Sequence, residues 1–431
     1  MDRPHIVCVN PPIHDFTAHD FWLKPYGLLR VAGRLRPCAR LSFFDYLDRH
    51  DPRAPPGRWQ REDPWGRGQF YSAELPRPAP LAHIRRRFRR FGLPRECFRE
   101  FLTANGPFDF ALVQTVMTYW YPGVREALED LRALAPSAKI VLGGMYATLC
   151  ADHAAALGAD LVVQGSDLEP LWRFLGVSPA PGGTAWWEAY PSGPAVGVLK
   201  LSDGCPFRCT YCSVPNVYPP FAPRPADDVW AESELLLARG ARQIAFYDDA
   251  LLYRSAEILE PFLRRVLERG VEADFHTPNA LNARFVTPEL ARLMVAAGLR
   301  TFYLGLESAS PEWQQSTGGK VANEEFARAV ECLRDAGAGE IAAYVLLGHP
   351  RGSPGEVEAA LRFARGLRVR TMLAEFSPIP GTPDGEACRK WVDLDEPLTH
   401  NKTAFPLVCW GEAEVERLKE LCRKLNRDRD A

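Results

Sequence analysis

Three cysteines stand close together near the middle of the chain. Cys205, Cys209 and Cys212 have the spacing C-x3-C-x2-C within the stretch LSDGCPFRCTYCSVPN. Thiolates at this spacing can bind three corners of one four-iron cluster, which leaves one iron open to an external chelate. A structural zinc ion normally takes four protein ligands, and His276 is a conceivable fourth on a different predicted strand. Three unrelated thiols are the remaining alternative, and the spacing favours the cluster.

Further polar residues follow the predicted strands that come after this loop. A single carboxylate at a strand end often caps a helix. A series of polar residues, one set per strand, instead favours a ligand site on one face of a barrel. These residues are, in chain order, Asp248 and Asp249, His276, Asn279, Glu307 and Ser308, and His349.

The elements that must position these side chains are strand and helix units of similar length. Predicted strands begin near Val196, Arg242, Val271, Arg300, Glu340 and Arg370, and helical patterns such as 256–270 separate them. Six such units predict a parallel (β/α)6 partial barrel over 195–392, with the chemistry on the loops after the strands. A short tail, 393–431, ends in a predicted helix.

The first part of the chain also alternates between strands and helices. Short apolar runs predict strands at 5–10, 40–45, 109–114, 138–144 and 159–165, and helical spacing predicts helices at 27–37 and 122–134. This pattern is typical of an α/β domain with a Rossmann-like open sheet over 1–179, whose ligands bind at the carboxyl ends of the strands. A Gly- and Pro-rich stretch, 180–194, predicts a linker.

An insertion of about 51–103 interrupts that alternation. It is rich in Pro and Arg and contains the stretch HIRRRFRRFG at 83–92. We predict a solvated basic helix here. A cover that faces a phosphate or a substrate is the alternative.

Composition narrows the class of protein. The 431 residues are 46% hydrophobic and carry a net charge of −2, so no global basic field favours nucleic acid or an anionic membrane. No apolar run is long enough for a membrane span, and the N-terminus lacks the layout of a signal peptide. Eleven cysteines, an odd number, predict the reducing cytoplasm. The wide spacing of Cys388, Cys409 and Cys422 favours ordinary thiols over a second cluster.

The cysteine motif, Tyr211 before its third cysteine and the six-unit barrel resemble the radical S-adenosylmethionine (SAM) enzymes. The resemblance implies a [4Fe-4S] cluster whose open iron binds SAM, and a 5′-deoxyadenosyl radical that forms on reduction by a flavodoxin or ferredoxin. It further implies that Tyr211, Asn279, Glu307 and Ser308 contact SAM. The family often holds the methionine ammonium with Gly-Gly-Glu, where this chain has Asp248 or Asp249.

The α/β domain before the barrel resembles the cobalamin-binding subfamily of these enzymes. The resemblance rests on five stretches, 10–12, 24–32, 115–128, 142–149 and 165–171. It implies that residues in them bind cobalamin, with the nucleotide tail near the glycines. The residues are Asn10 and Pro11, Thr118, Gly143 and Gly144, and Gly165 with Glu169. The subfamily's Asp-x-His-x-x-Gly motif has only a chance near-match, Asp48-Arg49-His50, so we expect no protein ligand below the cobalt. A degenerate domain without cofactor is the alternative.

These resemblances imply methylation of an unactivated carbon in a small molecule or a peptide. A radical cyclisation or rearrangement without methyl transfer is an alternative on the same domains. An iron–sulfur sensor or binding protein that does not turn over is an alternative from another class.

Overall fold

The computed structural model describes residues 3–57, 59 and 61–429, and the chain divides into two compact units. The first unit comprises the residues up to Gly197 together with Ala231–Ala241 and Asp395–Leu398. The second comprises Val198–Trp230, Arg242–Leu394 and the residues from Thr399 onward.

The first unit is built from short strands and helices of moderate length. Up to Gly176 they are, in chain order, β1 (His5–Asn10), β2 (Ile13–Asp15), β3 (His19–Asp20), α1 (Tyr26–Leu35), β4 (Arg40–Asp45), β5 (Gly68–Gln69), β6 (Ser72–Leu75), β7 (Phe88–Phe91), α2 (Arg95–Asn105), β8 (Phe110–Thr115), α3 (Tyr121–Leu134), β9 (Lys139–Gly144), α4 (Met145–Leu149), α5 (Ala151–Ala155), β10 (Leu161–Val163) and α6 (Glu169–Leu175). Short 3-10 turns cover Ala79–Leu81, Thr118–Trp120 and Trp187–Ala189.

The central sheet of this unit has the order β10-β9-β8-β1-β4, and its neighbouring strands are parallel. Numbered along the chain, this is the doubly wound 2-1-3-4-5 order, in which a crevice opens at the carboxyl ends of the strands where the order reverses. Here the reversal lies between β1 and β8. The Rossmann-like fold predicted from the sequence is therefore confirmed, and the strands at 5–10 and 40–45 have the predicted bounds.

The insertion differs from the prediction. The expected basic helix at 83–92 is wrong, because Phe88–Phe91 forms β7 in an antiparallel sheet of order β2-β7-β6. Ile84, Phe88 and Phe91 are buried at spacings that also suit a helix, which explains the error. Arg90 is buried as well, with Nη2 2.8 Å from Glu126 Oε1. Pairing with two strands and this ion pair outweigh the local pattern.

The stretch 180–194, expected to be a linker, lies within the first unit. Trp187 is fully buried there, and Tyr190 is 4% exposed. The burial of these two aromatic rings holds the stretch against the unit.

The second part of the chain repeats strands and helices, most of which belong to the second unit. From Val196 onward the elements are β11 (Val196–Leu199), β12 (Ser202–Asp203), α7 (Val214–Val217), β13 (Ala222–Pro223), α8 (Ala226–Ala238), β14 (Gln243–Phe246), α9 (Leu259–Glu268), β15 (Asp274–His276), α10 (Pro288–Ala296), β16 (Thr301–Glu307), α11 (Pro311–Ser316), α12 (Asn323–Asp335), β17 (Glu340–Leu347), α13 (Pro354–Gly366), β18 (Arg370–Glu375), α14 (Pro383–Glu386), α15 (Phe405–Trp410) and α16 (Glu412–Arg429). Short 3-10 turns cover Ala283–Phe285, Ala387–Lys390 and Pro397–His400.

The long strands of this unit form two sheets, with the orders β11-β14-β15 and β16-β17-β18. Backbone hydrogen bonds of Phe275 to Gly298 and of Arg300 to Phe275, both 2.9 Å, link the two sheets. The result is the predicted partial barrel, with the connecting helices on its outside.

The edge of the barrel at β18 is covered by the last helix. The amide group of Asn426 on α16 accepts from the backbone N–H of Thr371 and donates to its carbonyl, both at 2.9 Å. One side chain thus replaces the hydrogen bonds of an absent neighbouring strand. Among the described residues, no helix combines the length and the apolar character that crossing a membrane requires.

Candidate active site

Cys205, Cys209 and Cys212 lie on the loop between β12 and α7. Each is partly exposed, and none forms a disulfide. Burial raises the pKa of all three thiols, that of Cys212 to about 12. Because the thiolate is the form that binds metal, a metal charge beside these residues is needed to ionise them at neutral pH.

The donors near this loop fit a cluster better than a zinc ion. His276, the conceivable fourth zinc ligand, is fully buried and contacts Gln243 Oε1 at 2.6 Å and Thr301 Oγ1 at 3.2 Å. Within the described residues, no three His, Cys, Asp or Glu side chains surround a position for a single ion. A cubane binds each thiolate through a different iron, so its ligands need not converge on one point.

Asp248 ties the end of β14 to the start of the cysteine loop. Its two carboxylate oxygens accept from Leu201 N at 3.1 and 3.0 Å, and one also accepts from Ser202 N at 2.7 Å and Ser202 Oγ at 2.6 Å. Burial raises the pKa of Asp248 to about 6, against the opposing effects of Ser202 and Lys200. Since its own chain occupies these oxygens, Asp248 positions the segment that leads to Cys205.

Asp249 points to a different set of partners. Lys200 Nζ lies 3.3 Å from Asp249 Oδ2 and 3.5 Å from Asp203 Oδ1. Burial is the main cause of the raised pKa of Cys205 and of Cys212, and the negative charge of Asp249 adds to it. Asp249 is therefore the better candidate of the two for a ligand ammonium.

Asn279 and Ser308 lie at the ends of the third and fourth barrel strands and are held by backbone groups. Asn279 Nδ2 donates to the carbonyls of Tyr247 and Asp248, both at 3.2 Å. Ser308 is buried, and its hydroxyl accepts from Ser310 N at 3.2 Å. The roles of both residues in SAM binding stay predictions.

Glu307 occupies a strained position at the end of β16. Its φ of 61° is left-handed, which costs a non-glycine residue about 1 to 3 kcal/mol and is found most often at functional sites. A Cβ atom at Gly305 would lie 2.9 Å from Glu307 Oε1, so the glycine makes room for this carboxylate. Burial raises the pKa of Glu307, and Lys320, with Nζ 3.9 Å from Oε1, opposes the shift. The charge of Lys320 also lowers the pKa of Cys209, and the charge of Glu307 raises it.

Tyr211 stands in a buried group of rings behind the loop. It stacks on Trp313 at 6.0 Å between centroids and meets His349 edge-on at 6.1 Å. Burial raises the pKa of Tyr211 well above its usual value, and its hydroxyl also interacts with the thiol of Cys209. His349 is 1% exposed, which makes it a packed residue of the site.

A cavity of the second unit lies away from the cysteine loop. It has a volume of about 460 Å³ and is lined by residues such as Arg242, Val271 and Arg300, at the amino ends of the barrel strands. Chemistry in such barrels belongs to the opposite face, so the cysteine loop remains the candidate site.

In the first unit, the carboxyl ends of β1 and β4 hold a buried polar group. Asn10 Nδ2 donates to Asp45 Oδ1, and Tyr190 OH donates to Asp45 Oδ2, both at 2.6 Å. Lys24 Nζ lies 4.8 Å from the centre of the Tyr190 ring. Burial raises the pKa of Asp45 to about 6, against the charge of Lys24 and the two hydrogen bonds. The side chain of Asn10 therefore links the ends of β1 and β4 through its hydrogen bond to Asp45.

A small cavity lies in the crevice between β1 and β8. Its volume is about 20 Å³, and Asn10, Pro11, Gln114 and Trp120 help to line it. Thr118 is buried in the turn after β8. A cavity of this size holds about one water molecule, so it is too small to enclose a large ring system.

The glycines at the end of β9 and after β10 form a more open edge. Gly144 has a φ of 109°, and a Cβ there would lie 2.2 Å from the carbonyl oxygen of Thr115, so its own backbone requires glycine. At Gly143 a Cβ would meet only Val163, at 3.9 Å. Gly165 N donates to Thr148 Oγ1 at 2.9 Å, and Gly165 and Glu169 are exposed. This edge fits the approach of a large ligand.

The three cysteines near the C-terminus do not share a site. Cys388 and Cys409 pack in an apolar cluster around Phe376 and Phe405, and Cys422 Sγ lies 3.5 Å from the carbonyl oxygen of Thr371. Sequence reasoning missed Lys200, Asp45, Tyr190 and Asp384. The hydrogen-bond partners of Asp45, Tyr190 and Asp384 lie far away in the sequence. Lys200 belongs to no recognisable motif. No local pattern in the sequence therefore marks these four residues.

Residues 199–364 match the family model of the radical SAM superfamily. The uncharacterized methyltransferase PH0819 of Pyrococcus horikoshii is 27% identical over 195 residues, which are 44% of this chain and 41% of that protein. The ribosomal protein uS12 methylthiotransferase RimO of Moorella thermoacetica is 28% identical over 203 residues, 44% of this chain and 46% of the relative. The chain thus spans less than half the length of either relative.

Solved structures resemble a larger share of the chain. The radical SAM methyltransferase TsrM from Kitasatospora setae, solved with cobalamin and a [4Fe-4S] cluster bound, has a TM-score of 0.65 and 17% identity. The match covers 90% of this chain and 78% of TsrM. OxsB, a cobalamin-dependent SAM radical enzyme, has a TM-score of 0.57 and 11% identity over 98% of this chain and 61% of OxsB. At these identities the likeness shows a shared fold.

Proposed function

We propose that the protein is a cobalamin-dependent radical SAM enzyme that methylates an unactivated carbon. The observation that carries the proposal is the set of free thiols Cys205, Cys209 and Cys212 on the loop after the first barrel strand. Support for cobalamin comes from the doubly wound first unit with its open glycine edge, and from the fold shared with TsrM and OxsB.

The three thiols would hold the [4Fe-4S] cluster, and Gly143, Gly144, Gly165 and Glu169 would lie beside the cobalamin tail. When bound, the cluster supplies the electron that cleaves SAM to a 5′-deoxyadenosyl radical, and cobalamin carries the methyl group. We propose a small-molecule or peptide substrate, a flavodoxin or ferredoxin as electron donor, and a cytoplasmic location.

The chain's own residues bind and orient these groups. Asp248 fixes the path of the chain before Cys205, and Asp249 or Glu307 presents a carboxylate beside the thiols. Tyr211, Asn279 and Ser308 complete the proposed SAM site. The rings behind Tyr211 exclude water from that side of the loop.

The test uses the full chain, purified without oxygen and reconstituted with iron, sulfide and hydroxocobalamin. We expect about four irons per chain, a cobalamin absorption spectrum that stays with the protein, and 5′-deoxyadenosine after reduction with SAM present. Failure to form 5′-deoxyadenosine despite a full cluster would reject the enzyme and favour an iron–sulfur binding protein.

A second candidate is a radical cyclisation or rearrangement on the same domains. It is favoured by the likeness to OxsB, which is described as a radical enzyme and not as a methyltransferase. Transfer of a labelled methyl group from SAM to product distinguishes the two. If the protein makes 5′-deoxyadenosine but retains no cobalamin, the methyltransferase proposal is rejected.

A further inference from the structure

Thr210, between Cys209 and Tyr211, has all of its polar groups bound within the second unit. Its N–H donates to the carbonyl of Thr317 at 3.2 Å, and its carbonyl accepts from Asp384 N at 3.1 Å. Its hydroxyl donates to Asp384 Oδ2 at 2.5 Å and accepts from Arg351 Nη2 at 2.7 Å. The cysteine loop is therefore clamped at the residue that connects Cys209 to the Tyr211–Cys212 pair.

Asp384 is the centre of this clamp. It is 2% exposed and comes from α14, after the sixth barrel strand. Besides Thr210, it accepts from His349 Nε2 at 3.0 Å and forms an ion pair with Arg351 at 2.7 Å. Burial opposes its ionisation, but these donors lower the pKa of Asp384. The carboxylate, which follows β18, is thus held charged by residues that follow two other strands, β12 and β17.

The imidazole of His349 extends the clamp to the rings behind the loop. Its Nδ1 accepts from Trp313 Nε1 at 3.3 Å and from Arg351 N at 3.2 Å. The proton of the neutral ring therefore lies on Nε2, which donates to Asp384. Trp313 in turn stacks on Tyr211, so one network holds both the backbone and the aromatic side of the loop.

We propose that Asp384 and His349 are positioning residues that hold Cys209–Cys212 in the conformation that ligates the cluster, and that they thereby set its stability and its reduction potential. The inference rests on the proposed function, because it takes Cys209 and Cys212 as cluster ligands. Hydrogen-bonded groups behind metal ligands change metal affinity by roughly 10- to 100-fold when mutated. They also tune the potential of iron–sulfur clusters.

The experiment compares Asp384→Asn, His349→Gln and Thr210→Val with wild type in the reconstituted full chain. It measures the rate at which an excess of a ferrous chelator removes iron, and the midpoint potential of the cluster by electron paramagnetic resonance. We expect iron loss at least tenfold faster in Asp384→Asn and Thr210→Val, with a smaller change in His349→Gln. A tenfold change in the reduction equilibrium corresponds to about 59 mV for one electron.

Two further variants separate positioning from loss of stability. Thr210→Ser keeps the hydroxyl and should behave as wild type. Thr301→Val is a matched control, because it removes a buried hydroxyl that contacts His276 at 3.2 Å, away from the clamp. It should leave iron loss and potential unchanged.

The outcomes separate this inference from the proposed function. A wild-type chain that takes up no cluster overturns both. A wild-type chain with a full cluster, but with Thr210→Val and Asp384→Asn indistinguishable from Thr301→Val, overturns the inference alone. If Asp384→Asn does not fold, the comparison of Thr210→Val with Thr210→Ser decides.

Discussion

Asp45 in the first unit and Asp248 in the second stand at the carboxyl ends of parallel strands, and each bonds to the end of a neighbouring strand. Both are almost fully buried, at 4% and 2% exposure, and burial raises the pKa of each to about 6. Their partners differ. Asp45 accepts mainly from the side chains of Asn10 and Tyr190, whereas Asp248 accepts from consecutive backbone N–H groups before the cysteine loop.

This difference indicates what each carboxylate controls. Side-chain partners fix how neighbouring elements pack, and the backbone can keep its path if they are lost. Backbone partners fix the path itself, because an unbonded buried N–H costs about 1 to 3 kcal/mol. Asp248 therefore controls the entry to the cysteine loop, and Asp45 controls the packing of a sheet edge.

The largest effect is expected from the loop that Asp248 controls. Replacing Cys205, Cys209 and Cys212 together by Ala removes every proposed cluster ligand, so the reconstituted protein should lose the brown chromophore and its roughly four irons. Iron analysis and the visible spectrum measure this. The matched variant changes Cys388, Cys409 and Cys422 to Ala, and it should keep the cluster. Full iron content in the first variant would falsify the assignment.

Asp248→Ala should have the next largest effect. It leaves the N–H groups of Leu201 and Ser202 without their partner, and we expect a loss of about 3 to 5 kcal/mol in the free energy of unfolding together with a reduced iron content. Chemical denaturation and iron analysis measure these. Asp249→Ala should lower SAM affinity more than stability, because its partner Lys200 also contacts Asp203. The reverse ranking of the two variants would contradict the roles assigned here.

The predictable part of this molecule is what short stretches of sequence encode. The spacing of Cys205, Cys209 and Cys212 lies within one loop. The strands 5–10 and 40–45 are short apolar runs, the first of them closed by Pro11 and Pro12, so both the loop and the strands could be predicted. The stretch 83–92 could not, because Phe88–Phe91 becomes a strand only through its pairing with β2 and β6.

The network around the site depends on residues far apart in the chain. Asp384 contacts Thr210 across 174 positions, and no local pattern distinguishes it from an aspartate near a helix start. For Asp248, the position could be predicted but its hydrogen-bond partners could not. The sequence places it correctly after a strand, but only the structure shows that backbone donors already occupy its oxygens.

The role of Asp45 in the first unit can be tested by the pH dependence of stability. The free energy of unfolding of Asp45→Asn is compared with that of wild type. Between the usual aspartate pKa of 3.8 and the raised value of about 6, the folded chain keeps a proton that the unfolded chain loses. The contribution of Asp45 to stability is therefore present below pH 3.8 and is lost as the pH rises through 6, by about 3 kcal/mol. Because Asn does not titrate, the stability of wild type minus that of Asp45→Asn should fall by this amount. Denaturation at pH 3 to 7 measures it, and a difference independent of pH would contradict it.

The smallest effect on stability is expected at the open glycine edge, where two adjacent residues should behave differently. Gly144 cannot report on cobalamin, because a Cβ there meets the Thr115 carbonyl at 2.2 Å. With its positive φ, Gly144→Ala should cost about 2 kcal/mol or more whatever is bound. Gly143→Ala adds a Cβ with only an ordinary contact to Val163, so its free energy of unfolding should change by less than about 0.5 kcal/mol. If the cobalamin tail passes Gly143, Gly143→Leu should lower cobalamin uptake, measured by absorption, while the iron content stays at the wild-type value. Unchanged cobalamin uptake in Gly143→Leu would place the tail elsewhere, and would leave the glycine edge as a feature of the backbone alone.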